Sequence, residues 1–248
     1  MSGAPARLAV ERVGRVLWVR LGRPQILNAL DQLDLDELAE VVAGPAREPE
    51  TGAIVLTGSG RAFCAGGDLG ALQGIDAAAM EHLVSSGAAL MREIESLECP
   101  VVAAVNGLAL GGGLELALAC DIRVASEEAV FGLPEVTLGT IPAWGGTHRL
   151  ADAVGGSRAA HLLLTGARVD AHEARAIGLV AEIHPADRLE AAAQELAERL
   201  AGLEPVAVAA AKRALLERRR AAADAAATAE LDGVLAAHRL AENSPFVS

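Results

Sequence analysis

Tyrosine is absent from the 248 residues, and the other aromatics amount to three Phe and two Trp. A tyrosine acid or base is therefore excluded, including the Tyr/Lys pair of short-chain dehydrogenases, and little remains on which single-stranded bases could stack. Lysine is almost missing too: among 21 basic residues only Lys212 is a lysine, so Schiff-base chemistry has one candidate. Cysteine is sparse, with Cys64, Cys99 and Cys120 spaced 35 and 21 residues apart. That spacing offers neither a CxxC pair nor a neighbouring histidine, so no metal site is expected and a reducing compartment is the simplest reading. Positive charge is also short, 21 Lys+Arg against 33 Asp+Glu, a net of −12 that argues against nucleic acid or an anionic membrane as partner. No apolar run is long enough to span a bilayer, and Met1–Arg7 lacks the basic-then-apolar pattern of a secretory signal, which places the protein in the cytoplasm as an expectation. The abundance of Ala, Gly, Arg and Pro is what a GC-rich bacterial coding bias would produce.

What is present is apolar and periodic. Hydrophobic residues make up 52% of the chain, enough for one sizeable core. Residues 8–21, β-branched around Gly14, predict a hairpin of two strands. From Leu30 the apolar positions 30, 33, 38, 41 and 42 follow a helical period until Gly44-Pro45 stops it. The short apolar runs Ala53–Thr57 and Val101–Val105 read as buried strands. Each is followed by a glycine-rich loop and a helix, one over Ala77–Leu97 and one opening at Gly111-Gly112-Gly113. Strand, loop, helix in repetition predicts βαβ crossovers and a largely parallel sheet, an α/β fold. Strand signals fade beyond about residue 150. Asp170-x-x-Glu173 offers an N-cap with its capping-box partner. The stretch 186–241, rich in Ala, Leu, Glu and Arg, predicts a wholly helical C-terminal appendage suited to packing on another subunit, in which Arg218-Arg219-Arg220 reads as a solvated face. The chain thus divides into 1–185, a core carrying the site, and 186–248, a helical region expected to form oligomers.

The glycine loops do not fit phosphate cradles. Gly58-Ser59-Gly60 is followed by Phe63, and Gly111-x-Gly113 by Leu116, where a dinucleotide fingerprint requires glycine. There is no P-loop lysine and no G-x-S-x-G elbow. Turn geometry alone explains many such glycines. Both loops, however, fall beyond the carboxyl ends of predicted parallel strands, where ligands of open α/β sheets bind. The Gly112 amide opens a helix, and a second amide from the Gly66-Gly67-Asp68 turn would complete an oxyanion hole.

Two carboxylates stand beside these loops. Glu115 lies in Leu114-Glu115-Leu116-Ala117-Leu118-Ala119, a helix otherwise suited to the interior, and serves either as a buried salt-bridge partner, for instance to Arg123, or as a functional acid or base. Glu135 follows Phe131-Gly132-Leu133-Pro134, where a solvated loop glutamate is the bland alternative. Near an oxyanion hole, two carboxylates can move both protons needed to add water to an activated double bond. His148 has no Ser or Cys placed for a triad. His82, His161, His172, His184 and His238 read as surface or packing residues.

Taken together, Phe63-Cys64-Ala65-Gly66-Gly67-Asp68-Leu69, Ala104-Val105-Asn106-Gly107 through Gly111-Gly112-Gly113-Leu114-Glu115, and Phe131-Gly132-Leu133-Pro134-Glu135 through Leu138-Gly139-Thr140-Ile141-Pro142 resemble the enoyl-CoA hydratase/isomerase (crotonase) superfamily. Arg23-Pro24 with Leu27-Asn28-Ala29-Leu30 extends the resemblance upstream; Leu164–Ala167 and Ala176–Val180 extend it downstream, to cover about residues 8–215. It implies a spiral of βαβ units, a homotrimer or homohexamer, and an acyl-CoA thioester substrate held without metal or redox cofactor, CoA being part of the substrate. By motif the oxyanion-hole amides fall on Gly67 and Gly112. Ala65, Gly66, Asp68 and Leu69 are expected along the CoA path, and Lys212 near the CoA phosphates.

Retention of both glutamates, 20 residues apart, implies syn hydration of a 2-trans-enoyl-CoA to a 3-hydroxyacyl-CoA. Glu115 would activate water for attack at C3 and Glu135 would protonate C2. The alternatives are a Δ3,Δ2-enoyl-CoA isomerase or another reaction of the superfamily, and outside enzymes an RNA-binding or scaffold relative. Three departures stand out. Ala143-Trp144 follows Ile-Pro where small residues are frequent, so Trp144 is expected to narrow the acyl pocket. Gln25 stands where a basic residue is common. The sequence ends about one helix short of the usual family terminus.

Overall fold

The computed structural model describes residues 6–242, without the side chains of 218–225 and 240–242, so the Arg218-Arg219-Arg220 face lies outside the described residues. The hairpin forms as expected: β1 (Leu8–Val13) pairs antiparallel with β2 (Val16–Leu21) across the turn at Gly14. Helix α1 (Gln32–Ala43) follows, closed at its start by a capping box in which Asp31 and Asp34 exchange side-chain-to-backbone bonds. Then come β3 (Ala53–Gly58), β4 (Ala62–Cys64), the one-turn α2 (Leu69–Leu72), α3 (Ala77–Ser96), β5 (Val101–Val105), β6 (Leu108–Leu110) and α4 (Gly112–Ala119). The chain continues through β7 (Ile122–Ser126), β8 (Val130–Gly132), α5 (Gly146–Val154), α6 (Gly156–Thr165), β9 (Arg168–Asp170), α7 (Ala171–Ala176), β10 (Glu182–His184), α8 (Leu189–Ala201) and α9 (Pro205–Glu242).

A six-stranded sheet in the order β1-β2-β3-β5-β7-β10 is parallel except for the hairpin. Its central strands are continuous apolar runs because both faces are covered. Alternate residues divide between two cores: Ile54, Leu56, Val101, Ala103 and Val105 face the larger one with α1, α3 and α4, while Ala53, Val55, Val102 and Ala104 face α8. Helix α8 presents Leu189, Ala193, Ala197 and Ala201 at four-residue spacing, a row of small side chains that lets it lie close on the sheet.

The glycine-rich loops hold a second sheet, β4-β6-β8-β9, that hydrophobic periodicity does not reveal. Its strands are three residues each, too short to show a period of two. Parallel pairing of β4 with β6 and of β6 with β8 sets the loops after β4, β6 and β8 side by side. Those three loops carry Gly67, Gly112 and Glu135.

The C-terminal stretch is helical apart from a break at residues 202–204. Its last helix, α9, packs on α3 and α5 of the same chain. Near the start of α9, Lys212 is buried with its Nζ 2.6 Å from the Asp121 carboxylate and 3.1 Å from the Cys99 carbonyl. Asp121 lies past the C-terminus of α4, roughly 12 Å along the helix from Gly112. Lys212, expected near the CoA phosphates, is engaged within the fold: a lone buried ammonium is stable only beside an acceptor, and Asp121 supplies it. Lys212→Met is expected to lower stability by about 1.5–3 kcal/mol in thermal unfolding, the range for a hydrogen bond to a charged group, and to leave substrate KM unchanged.

Candidate active site

The loop after β4 is positioned from three directions. Leu30 forms a parallel bridge with Gly67, donating to the Gly66 carbonyl at 2.8 Å and accepting from the Asp68 amide at 2.9 Å. Gly67's own N–H, lying between those two bonds, is turned to the opposite side. Asp68 caps α2 through the amides of Gly70 and Ala71, and Arg23 reaches Asp68 at 3.3 Å while also pairing with Asp31 and Asp34. The same arginine thus ties the hairpin's exit and the start of α1 to this loop.

The loop after β6 turns directly into α4, whose residues are all buried. The first amides of a helix have no acceptor within it, and Gly112 is the first residue of α4. Neither the Gly67 nor the Gly112 amide finds an acceptor among the described residues. The two loops are in contact: a Cβ built on Gly66 would lie 3.3 Å from the Gly112 nitrogen. Gly113 is required by packing, since a Cβ there would stand 2.0 Å from the Cys64 carbonyl oxygen.

Gly67, Gly112, Glu115, Glu135 and Trp144 all line one cavity of about 250 Å³, closed by Leu72, Met80, Leu83 and Val84, by the 138–144 loop, and by Val234, Ala237 and His238 of α9. Ala65, Gly66, Asp68 and Leu69 do not line it: they flank Gly67 in the chain, with Gly66 buried and Leu69 59% exposed. A larger cavity of about 340 Å³ lies elsewhere, lined by Arg15, Gly52, Pro100 and Ala201 at the opposite ends of the strands. Chemistry favours the smaller one, because it joins two unpartnered amides to the carboxyls of Glu115 and Glu135.

Glu115 is 2% exposed and makes no ion pair with Arg123, whose guanidinium instead bonds the carbonyls of Ala117, Cys120 and Leu179. One oxygen of Glu115 accepts from the amides of Trp144 and Gly146, each at 2.7 Å. Glu135 opens a short 3-10 turn and is held over Gly111, where a Cβ would come 3.0 Å from its Oε1. Its Oε2 is buried without a hydrogen-bond partner among the described residues. Burial, followed by the negative charges of Glu135 and Glu230, raises the Glu115 carboxyl above its ordinary range. Burial raises Glu135 as well, with Glu230 adding to it. Such a cluster holds protons near neutral pH that ordinary carboxylates would have lost.

Two further residues reach the site without being singled out by the sequence reading. Glu230 and His238 both sit on α9 and face this region. Glu230 is 2% exposed and accepts from the amides of Gly145 at 2.8 Å and Thr147 at 3.1 Å, and from the Thr147 hydroxyl. A signal for it exists: Glu230, Val234, Ala237 and His238 follow a helical period, so a glutamate stands on an apolar face just as Glu115 does.

Trp144 is 5% exposed and fills one wall of the cavity. Its indole lies flush against Gly112 and Gly87, where an added Cβ would come within 2.4 and 2.2 Å of the ring. Among the described residues no group of histidine, cysteine or carboxylate side chains is arranged to hold a metal, and no helix is long and apolar enough to cross a membrane.

The chain is similar to known proteins over most of its length. A model of the family described as enoyl-CoA hydratase/isomerase matches residues 11–241. A probable mitochondrial enoyl-CoA hydratase of Dictyostelium discoideum is 42% identical over 208 residues, 83% of this chain and 73% of that one. A short-chain-enoyl-CoA hydratase of Clostridium acetobutylicum is 41% identical over 207 residues, 83% of this chain and 79% of that one. The crystal structure of an enoyl-CoA hydratase from Bacillus anthracis superposes with a TM-score of 0.83 at 42% identity, covering 85% of this chain and 82% of that one.

Proposed function

This chain belongs to the enoyl-CoA hydratase/isomerase family, and from that premise we propose that it hydrates 2-trans-enoyl-CoA thioesters to 3-hydroxyacyl-CoA. The observation that carries the proposal is the meeting, in one cavity, of two unpartnered amides with the buried carboxyl of Glu115 and the half-buried one of Glu135. The thioester oxygen would rest between the N–H groups of Gly67 and Gly112. Attack of water at C3 drives negative charge onto that oxygen as an enolate, and each preorganised donor is worth about 3–4 kcal/mol to the transition state.

Glu115 takes the proton from the attacking water. Two backbone N–H bonds on one of its oxygens fix its orientation and offset part of the burial that raises its carboxyl, and a raised carboxyl is what a base needs to hold a water proton. Glu135 delivers a proton to C2, because an oxygen buried without a donor is least costly as part of a neutral carboxyl. The hydroxyl of the water bonds to C3 and its proton goes to Glu115, while the Glu135 proton goes to C2; passage of a proton from Glu115 back to Glu135 restores the starting pair before the next turnover. The reaction so written uses no metal or redox cofactor. A homotrimer or homohexamer, which the resemblance supports, is part of the same proposal, as is a place in the cytoplasm, which the N-terminal sequence suggests. Exposed Leu203, Val206 and Leu215 give it an apolar surface.

The decisive experiment is turnover of a panel of 2-enoyl-CoA thioesters of four to ten carbons, with 3-enoyl-CoA as the competing substrate. Hydration of the former is expected; isomerisation of the latter without hydration would overturn the proposal. Trp144 narrows the acyl end, so activity is expected to be highest on the short thioesters. Trp144→Ala removes the wall while leaving the backbone amide in place, and should shift relative kcat/KM toward eight-carbon substrates by about tenfold or more.

A further inference from the structure

The four successive amides of Trp144, Gly145, Gly146 and Thr147 are held alternately by two carboxylates from different helices. Glu115 of α4 takes those of 144 and 146, and Glu230 of α9 takes those of 145 and 147. These amides form the N-terminus of α5, whose cap residue Gly145 has φ +95° and no side chain to offer. Glu230 therefore supplies the missing cap from 85 residues away. We propose that Glu230 is a positioning residue for the hydration reaction: by gripping the 144–147 segment from the side opposite Glu115, it fixes the carboxylate of Glu115 against the substrate and couples the C-terminal helix to the site.

Three observations bear on this beyond the hydrogen bonds. A Cβ on Gly146 would meet Glu115 at 2.9 Å, so glycine there is what allows the Glu115 carboxylate to approach, and one on Gly145 would strike the Arg149 guanidinium that holds the same segment. Gly233, one turn beyond Glu230, brings α9 against Ile141, with only 2.4 Å between a built Cβ and the isoleucine Cδ1. Finally, α9 also supplies Val234, Ala237 and His238 to the cavity, so a helix held by Glu230 is a helix that walls the substrate.

Charge matters as well as geometry. The charged groups that interact with Glu230 are Glu115 from α4, Glu135 from the loop after β8 and Arg149 from α5; around them stand Glu95 of α3, paired with Arg149, His148 beside Gly145, and His238 of α9 on the cavity wall. The Arg149 charge is engaged by Glu95 at 2.6 Å. Glu230 therefore acts on the two reacting carboxyls mainly as a like charge, which keeps their protons bound to higher pH.

This inference rests on the hydratase reading, so its test includes a readout that does not depend on turnover. Glu230→Ala and Glu230→Gln are compared with the unaltered protein in kcat and KM for a four-carbon 2-enoyl-CoA between about pH 5.5 and 9.5, and in amide hydrogen exchange at residues 144–147. Glu230→Ala is expected to lower kcat by about 10–100-fold and exchange protection at 145 and 147 by tenfold or more. Glu230→Gln keeps an acceptor oxygen, and should restore most of kcat while moving the activity profile to lower pH. An unchanged pH profile in the Gln variant, or Ala-variant protection and kcat equal to those of the parent, would overturn the proposal. If Glu230→Ala does not fold, the Gln variant's pH profile decides alone. Absence of hydration by the parent protein would instead overturn the functional reading and leave the exchange result to judge the clamp.

Discussion

Glu115→Gln and Glu135→Gln are each expected to lower kcat for hydration by about 10²–10⁴-fold, the usual contribution of a positioned acid or base. KM should change far less, because the thioester is held by backbone amides that neither substitution touches. The amide oxygen that Glu115→Gln introduces can still accept from Trp144 and Gly146, so the loop stays in place and the loss is chemical. The double variant should be little worse than the poorer single one, since water addition needs both protons moved and either defect interrupts the cycle. The measurement is steady-state loss of the enoyl thioester absorbance. Single variants within tenfold of the parent would remove Glu115 and Glu135 from the chemistry.

The same substitutions should act on stability in the opposite direction. Burial raises the carboxyls of Glu115, Glu135 and Glu230, so the folded chain binds more protons than the unfolded one between the ordinary carboxylate range and the raised values. Stability contributed by these groups is thus present in acid and lost as pH rises through that window. A neutral side-chain amide in place of the Glu115 carboxyl removes part of that loss, so Glu115→Gln should melt at or above the parent's temperature near about pH 8. A site that is more stable without its catalytic charge carries strain kept for function.

How far the sequence announces all this differs from element to element. The main sheet is legible because β3 and β5 are apolar on both faces, and a run such as Val101–Val105 has few other uses. Glu115 is legible for the same reason, a charge inside an apolar helix. The second sheet is not, since its three-residue strands owe their conformation to neighbours in space rather than to local pattern. Lys212 shows the converse limit: a solitary lysine suggests a ligand contact, but its partner, Asp121, is 91 residues away and only folding reveals the pair. Glu230 is hidden in a different way, because α9 reads as an appendage and one buried acid among its many charged residues looks like another solvated one.

Arg149→Ala should give the largest loss of stability of any single change near the site. Arg149 is 4% exposed, and its guanidinium makes two bonds to Glu95, at 2.9 and 2.6 Å, and a third to the Trp144 carbonyl at 2.6 Å. Breaking a buried ion pair by removing one partner typically costs about 3–5 kcal/mol. For a chain of this size that corresponds to a fall in Tm on the order of 10 °C. Arg149→Met combined with Glu95→Leu removes both charges of the pair and should recover much of the loss, provided the pair matters through burial rather than through the loop. The third bond separates these possibilities. It holds the carbonyl of the residue whose amide binds Glu115, so the double variant should regain stability while its kcat stays below the parent's. Full recovery of both would show that the Arg149–Trp144 bond contributes nothing to the alignment of Glu115.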